Sequence, residues 1–209
     1  VNHIKTRLAQ HIAKPGGGFW GWLAIRLMIP RNRRINEWAV SRLNIQPADH
    51  VLEIGFGVGL SIARAARLAT EGWIAGIDYS AEMVKHASQR NRAAIQAGRV
   101  RLLQGDIAAL PYGDARFDKV FGVSVIYYLP DPVAALGEVW RVLKPGGLLV
   151  VMVRKPAALA ENPIFQAGSA RKTYSPDEAV AVLKTTGFSQ AWIEDSARDE
   201  TAFAAIGIK

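Results

Sequence analysis

After residue 46, apolar positions along the chain follow two alternating rhythms. Short runs rich in Val, Ile and Leu occur at 50–55 (HVLEIG), 73–77 (WIAGI), 99–104 (RVRLLQ), 118–123 (DKVFGV) and 147–153 (GLLVVMV). Longer stretches with helical spacing lie between them. Continuous apolar runs predict strands covered on both faces, and their alternation with helices predicts a mostly parallel sheet. One helix is expected after Gly59, through Ile62, Ala66 and Leu68. A second starts at Ser80, an N-cap with Glu82 in the favourable first turn, and runs towards Ala97. A third covers 132–143, where Val133, Leu136, Val139, Trp140 and Leu143 recur at helical spacing, and it stops at Lys144-Pro145-Gly146-Gly147. A last helix is predicted from Ser175-Pro176 to a C-cap at Gly187. Two closing strands, 189–195 and 201–208, are near enough in sequence to form an antiparallel hairpin at the sheet edge. The proline- and alanine-rich stretch 154–174 has little periodicity and reads as a loop or lid.

The expected fold is therefore α/β and doubly wound, Rossmann-like. It has a mostly parallel seven-stranded sheet, helices on both faces and a C-terminal antiparallel hairpin. Residues 47–209 would form the domain, and residues 1–46 a basic helical extension or lid. A chain of 209 residues suits one sizeable domain. Cysteine is absent, which excludes disulfides, thiolate metal ligands and cysteine nucleophiles, and no metal is expected. The apolar run Phe19 to Ile29 is broken by Arg26 and falls well short of the roughly 18–20 residues of a membrane span. It also lacks a small-residue cleavage site, so the cytoplasm is the expected compartment.

The net charge of +8 is unevenly divided. Residues 1–46 carry eight basic side chains against Glu37 alone, while residues 47–209 carry 18 basic and 17 acidic ones. An enzyme of nucleic acids would more often spread a basic stripe over its main domain, so a nucleic-acid partner is disfavoured. Within the leading segment, Phe19, Trp20, Trp22, Leu23, Leu27 and Met28 form a compact apolar element followed by Arg31, Arg33 and Arg34. One reading is a helix packed on the domain with solvated arginines. The other is an acceptor-binding lid or an interfacial helix in peripheral contact with a membrane, with Trp20, Trp22, Arg31 and Arg34 as substrate-binding candidates.

The stretch that carries chemistry is Val51-Leu52-Glu53-Ile54-Gly55-Phe56-Gly57-Val58-Gly59, a buried strand entering a glycine-rich turn. Such a turn, at the carboxyl end of the first strand, lets a nucleotide approach where a Cβ would collide. Asp78 stands about 20 residues further on, at the end of the second strand, where an acid can accept from both ribose hydroxyls. Nicotinamide and flavin proteins favour G-x-G-x-x-G and bind a pyrophosphate there. Here the spacing is G-x-G-x-G, and Glu53 would repel a pyrophosphate but attract an ammonium group. A methionine-bearing nucleoside is the better reading.

VLEIGFGVG, GIDYSAEMVKHA, LLQGDIAALPY, FDKVFGVSVIYYLPDP and RVLKPGG, in that order and spacing, resemble the successive signatures of class I S-adenosylmethionine-dependent methyltransferases. The resemblance is nearest to the group containing the ubiquinone and menaquinone biosynthesis C-methyltransferases, and it covers roughly residues 47–155. It implies S-adenosyl-L-methionine as cofactor. It also implies that Glu53 and the backbone at Gly55, Gly57 and Gly59 hold the methionine end, while Asp78 holds the ribose and Tyr79 and Met83 lie near the adenine. Asp106 would accept from the adenine amino group and the Ile107 N–H donate to the ring, with Gly122 and Val123 passing under the sulfonium. Each has a plainer competitor: a turn cap for Asp106, core for Met83, a surface ring for Tyr79.

Methyl transfer depends largely on aligning the acceptor with the methyl group. Tyr127 and Tyr128, just past the fourth strand, are the catalytic candidates, able to donate to an acceptor atom or face a cation, with helix packing as the competing role. Asp131, before a proline, reads as an N-cap. His50 and His86 read as structural, His3 and His11 as solvated. Val123-Ser-Val-Ile-Tyr-Tyr-Leu-Pro is not the N-P-P-Y pattern of enzymes that methylate exocyclic amino groups of bases. The expected acceptor is a small molecule, lipophilic or anionic; RNA or a lipid headgroup are the alternatives.

Overall fold

The computed structural model describes residues 33–160, 172–196 and 199–209. Trp20, Trp22 and Arg31 lie outside the described residues. The chain enters on a helix whose described part is residues 33–42 (α1). There follow β1 (His50–Ile54), α2 (Leu60–Leu68), β2 (Trp73–Asp78), α3 (Ala81–Arg90), α4 (Arg92–Gln96) and β3 (Val100–Gln104). Then come β4 (Phe117–Val123), α5 (Pro132–Val142), β5 (Leu143–Arg154), α6 (Pro156–Ala160), α7 (Pro176–Thr186), β6 (Gln190–Asp195) and β7 (Ala202–Ile208). Short 3-10 turns occupy Ile107–Ala109 and Ile126–Tyr128.

The seven strands form one sheet in the order β3-β2-β1-β4-β5-β7-β6. Strands β1 to β5 are parallel, and β7 is antiparallel to β5 and β6. The expected hairpin is present, but β7 inserts between β5 and β6 and only β6 lies at the edge. The reason is visible in the residues. Strand β7, AFAAIGI, is apolar on both faces and buried almost throughout, whereas Gln190 and Asp195 of β6 are exposed.

Two apolar layers sandwich the sheet. On one side Ile62, Ala65 and Ala87 of α2 and α3 pack on Val51, Ile74, Phe121 and Val150. On the other, Leu136 and Val139 of α5 and Leu183 of α7 pack on Leu52, Ile54, Val120 and Leu149. Ile35, Ala39, Val40 and Leu43, at helical spacing, join the first layer and are essentially inaccessible to solvent. Each large apolar side chain so buried stabilises the fold by roughly 1.5–3 kcal/mol. From Ile35 onward the leading segment thus shares the core of the domain.

Two expectations are corrected. The helix predicted from Ser80 towards Ala97 is two helices, because the buried Asn91 side chain donates to the carbonyls of Gly59 (3.1 Å) and Ala87 (2.9 Å). The stretch 154–174 contains α6, which places Leu159 in the core, and residues 161–171 lie outside the described ones. Helix α7 starts where predicted, with a full capping box: the Glu178 N–H donates to Ser175 Oγ (3.2 Å) and the Ser175 N–H to Glu178 Oε2 (2.9 Å).

Candidate active site

In an open sheet of parallel strands, a crevice forms beyond the carboxyl ends where neighbouring connections leave towards opposite faces. Here that place is between β1, whose helix packs on one face, and β4, whose helix packs on the other. The turn after β1 builds its floor, and its three glycines serve three different ends. Gly55 has φ +66°, its N–H donates to the Ile77 carbonyl (2.8 Å), and a Cβ would come within 2.7 Å of the Val125 side chain. Gly59 has φ +73° and begins α2, and a Cβ there would strike Asn91 and Ala87. Of the three, only Gly57, with φ +53°, looks onto open space: a Cβ there would meet nothing within 4 Å. A side chain at Gly57 would thus meet no protein atom, so the positive φ alone favours glycine there, whereas at Gly59 a Cβ would also collide with Ala87 and Asn91.

Two carboxyl groups flank this turn. Asp78, at the tip of β2, accepts from the Gly57 N–H through Oδ2 (2.8 Å) and from the Ser80 N–H through Oδ1 (2.9 Å). Burial pushes its carboxyl above the usual range, against those two hydrogen bonds. Each oxygen retains lone-pair capacity for a hydroxyl. Glu53 is only 2% exposed, and its Oε2 has no hydrogen-bond partner. Burial raises its carboxyl well above the carboxylate range; the Ser61 hydroxyl opposes this, Asp78 adds to it, and the Ile62 N–H lowers it. A buried, unpaired carboxyl oxygen is costly in a folded protein, which marks this oxygen as the group of the crevice whose hydrogen bonding is incomplete.

The other predicted residues are spread more widely. Tyr79 is 82% exposed above the crevice, whereas Met83 is buried in the first turn of α3. Asp106 is exposed and accepts from the Ala108 N–H (2.9 Å), capping its 3-10 turn, while Ile107 belongs to the core. Gly122 is buried against Ile54 and Val125, where a Cβ would not fit, and Val123 is half-buried at the end of β4. Ser124 follows with φ +56°, a sparsely populated conformation for a non-glycine residue, and its N–H donates to the Met152 carbonyl (2.9 Å).

The two tyrosines separate. Tyr127 is 1% exposed and its hydroxyl accepts from the Arg154 N–H, so it braces the end of β5 rather than facing an acceptor. Burial raises the Tyr127 phenol far above its usual value. Tyr128 remains 42% exposed and is raised by burial as well, so it is a neutral hydroxyl near pH 7. Arg34 lies exposed on α1. Asp131 caps α5 through the Ala134 N–H (3.0 Å). His50 packs its ring on Trp73, and His86 pairs with Glu82. Sequence reasoning missed Ser61 and Asn36, whose side chains meet at 2.8 Å beside Glu53. Ser61 lies in the first turn after the glycines, the only signal that could have pointed to it.

Fold and crevice together define a protein that binds a cationic nucleoside at the head of a doubly wound sheet. The same architecture is seen in a SAM-dependent methyltransferase from Aquifex aeolicus, with a TM-score of 0.70 and 20% identity over 83% of this chain and 88% of that one. Residues 52–151 match the family model described as a methyltransferase domain. The chain is 30% identical to an uncharacterized methyltransferase, YdaC, of Bacillus subtilis, covering 80% of this chain and 87% of that protein. It is 34% identical to a demethylmenaquinone methyltransferase of Lactiplantibacillus plantarum over 65% of this chain, and spans 58% of that relative's length. The chain belongs to the class I S-adenosylmethionine-dependent methyltransferases, and S-adenosyl-L-methionine is its cofactor. Among the described residues, no helix is long and apolar enough to cross a membrane.

Proposed function

We propose that this methyltransferase acts on a small organic acceptor presented beside Tyr128, at the carboxyl end of β4. The observation that carries the reading is the unpaired Glu53 oxygen set next to the open backbone of Gly57 and the Asp78 carboxyl. Those groups fit the cofactor: an ammonium for Glu53, a close backbone approach at Gly57, and two hydroxyls for Asp78. When bound, S-adenosyl-L-methionine supplies an electrophilic methyl group on a sulfonium.

The chain's own residues bind and orient. Glu53, next to Asp78 in a buried setting, neutralises the ammonium in low dielectric, where a charge-assisted hydrogen bond is strong. Tyr79, exposed just before α3, and Met83, in its first turn, would lie towards the adenine. Tyr128 offers a neutral O–H donor that can orient an acceptor oxygen or nitrogen but does not abstract a proton near pH 7. The rate advantage then comes from alignment and water exclusion, and a well-aligned pair of reactants gains roughly 7–11 kcal/mol. Support for a small acceptor comes from relatives named as methyltransferases of demethylmenaquinone and of 27-O-demethylrifamycin SV, and from the nearly neutral body of the chain.

The test is incubation of the full chain with isotopically methyl-labelled S-adenosylmethionine and fractionated cell extract. Label should appear in a low-molecular-weight product and be lost with Asp78→Ala. Label confined to RNA or protein would overturn the acceptor reading.

A further inference from the structure

The turn after β1 carries carbonyls as well as N–H groups, and the two sets are held from opposite ends of α3. Near the start of that helix, the Gly57 N–H donates to Asp78 Oδ2 (2.8 Å), and Asp78 Oδ1 accepts from the Ser80 N–H (2.9 Å). From its other end, two adjacent side chains hold two adjacent carbonyls of the turn. Arg90 Nε donates to the Val58 carbonyl (2.9 Å), and Asn91 Nδ2 donates to the Gly59 carbonyl (3.1 Å). Asn91 Nδ2 also donates to the Ala87 carbonyl (2.9 Å). Two acceptors thus face the two protons of that amide, which fixes its donor end towards the turn, and the side chain is only 4% exposed.

The turn has little rigidity of its own. Glycines lack the side chains that narrow backbone torsions, and at Gly57 a Cβ would find no atom to pack on. Helix α3, by contrast, is seated firmly, with Met83 and Ala87 buried and Ala87 packed in the layer that covers the sheet.

We propose that Arg90 and Asn91 are positioning residues of the donor site. Acting through the Val58 and Gly59 carbonyls, they hold the glycine turn so that the Gly57 N–H and the Asp78 carboxyl keep their places before the cofactor arrives. The inference rests on the reading of that turn and Asp78 as the seat of the nucleoside. A loop ordered in advance spares its ligand the entropy of ordering it, so freeing the turn lowers affinity without removing any group that touches the cofactor. Arg99 supplies the internal comparison. Its Nη1 donates to the Ala66 carbonyl (2.7 Å), a bond of the same kind to the same layer of helices, but near the far end of α2 from the turn.

The experiment is calorimetric titration of the full chain with S-adenosylhomocysteine, the demethylated cofactor, beside amide hydrogen exchange of the ligand-free protein. Asn91→Leu, of similar shape but with no donor, should bind about tenfold more weakly. Arg90→Met should bind about threefold more weakly, since water competes for an exposed bond, and Arg90→Lys should recover most of that loss. In Asn91→Leu and Arg90→Met the Gly57 N–H should exchange faster than in the wild type. Arg99→Met should leave both affinity and Gly57 exchange unchanged. Arg90 is exposed, so its variants keep the test open if Asn91→Leu folds poorly. Folded variants of Arg90 and Asn91 that bind as tightly as the wild type would overturn the proposal, as would an Arg99→Met that weakens binding equally. Either result leaves the cofactor site intact. A wild type that does not bind the nucleoside, or an Asp78→Ala that binds it unchanged, would instead overturn the reading of the site itself.

Discussion

The two ends of the sheet treat charge in opposite ways. Around the amino ends of β4 and β5, ionic groups are held by several partners each. Asp118 accepts from the His50 N–H (2.9 Å) and from Lys144 Nζ (2.7 Å). Arg141 donates to Glu138, to Asp114 (2.8 Å), and to the carbonyls of Tyr112 (2.8 Å) and Leu110 (3.1 Å). Lys209 Nζ donates to the Leu143 carbonyl (2.8 Å) and lies over the Trp140 ring. At the carboxyl ends, Glu53 keeps an oxygen unpaired, Asp78 is held by backbone N–H groups alone, and Ser124 adopts a positive φ. The proton affinities follow. Arg141 beside Glu138 holds that carboxyl below its usual range, and Lys144 with the His50 N–H does so for Asp118 against the opposing effect of burial. Glu53 and Asp78 are both pushed up, chiefly by burial. One end is finished as a folding structure, and the other keeps incomplete hydrogen bonding and raised proton affinities, as the proposed donor site requires.

The sharpest way to break this contrast is to make one change at each end. Glu53→Gln keeps the shape of the side chain but removes the charge that an ammonium needs. Donor affinity should fall by at least about a hundredfold, the scale of leaving a buried charge without its partner, with the thermal transition intact. Calorimetry with S-adenosylmethionine measures this. If affinity drops less than threefold, the unpaired oxygen at the crevice end does not await a cation.

Arg141→Met probes the finished end. It removes two ion pairs and strands two backbone carbonyls, but the side chain is part-exposed, so solvent moderates the cost. Loss of about 2 kcal/mol of unfolding free energy is expected in urea denaturation, with donor affinity unchanged. A variant as stable as the wild type would show that these bonds are replaceable by water.

The legibility of the molecule divides along the same line. The strands were readable because buried parallel strands are nearly continuous apolar runs, and the helix starts because Ser80, Asp131 and Ser175 act locally. Glu53, Gly57 and Asp78 were readable for a similar reason: the strand and turn that carry them fix their places. The position of β7 between β5 and β6 was not legible, since pairing across the sheet is decided by which strand can be buried on both faces. The break at Asn91 depends on carbonyls 32 and four residues away. Ser61 meets Asn36 only because α1 and α2 pack on the same face. Tyr127 and Tyr128 look alike in sequence, and the 3-10 turn alone sends one ring into the core and leaves the other half exposed.

The gentlest test uses pH and stability without any ligand. A carboxyl whose proton affinity is higher in the folded state favours folding below its unfolded value, and that contribution is lost as pH rises towards the folded value. Glu53 is such a group, so as pH rises above the ordinary carboxylate range the empty protein bears the cost of burying a carboxyl with one oxygen unpaired. Asp118 and Glu138 have the opposite sign: they stabilise above the ordinary carboxylate range, near pH 4, and stop doing so as pH falls through their lowered values. Glu53→Gln should therefore be more stable than the wild type by about 1 kcal/mol at pH 7, a gain typical of relaxing a functional site. That gain should shrink as pH falls towards the ordinary carboxylate range, where the unfolded-state acid begins to take up its proton as well. Urea denaturation of the two proteins at pH 7 and pH 4.5 reads the difference directly. A variant less stable than the wild type at pH 7 would mean that the Glu53 charge supports the fold, and the division between the two ends would not hold.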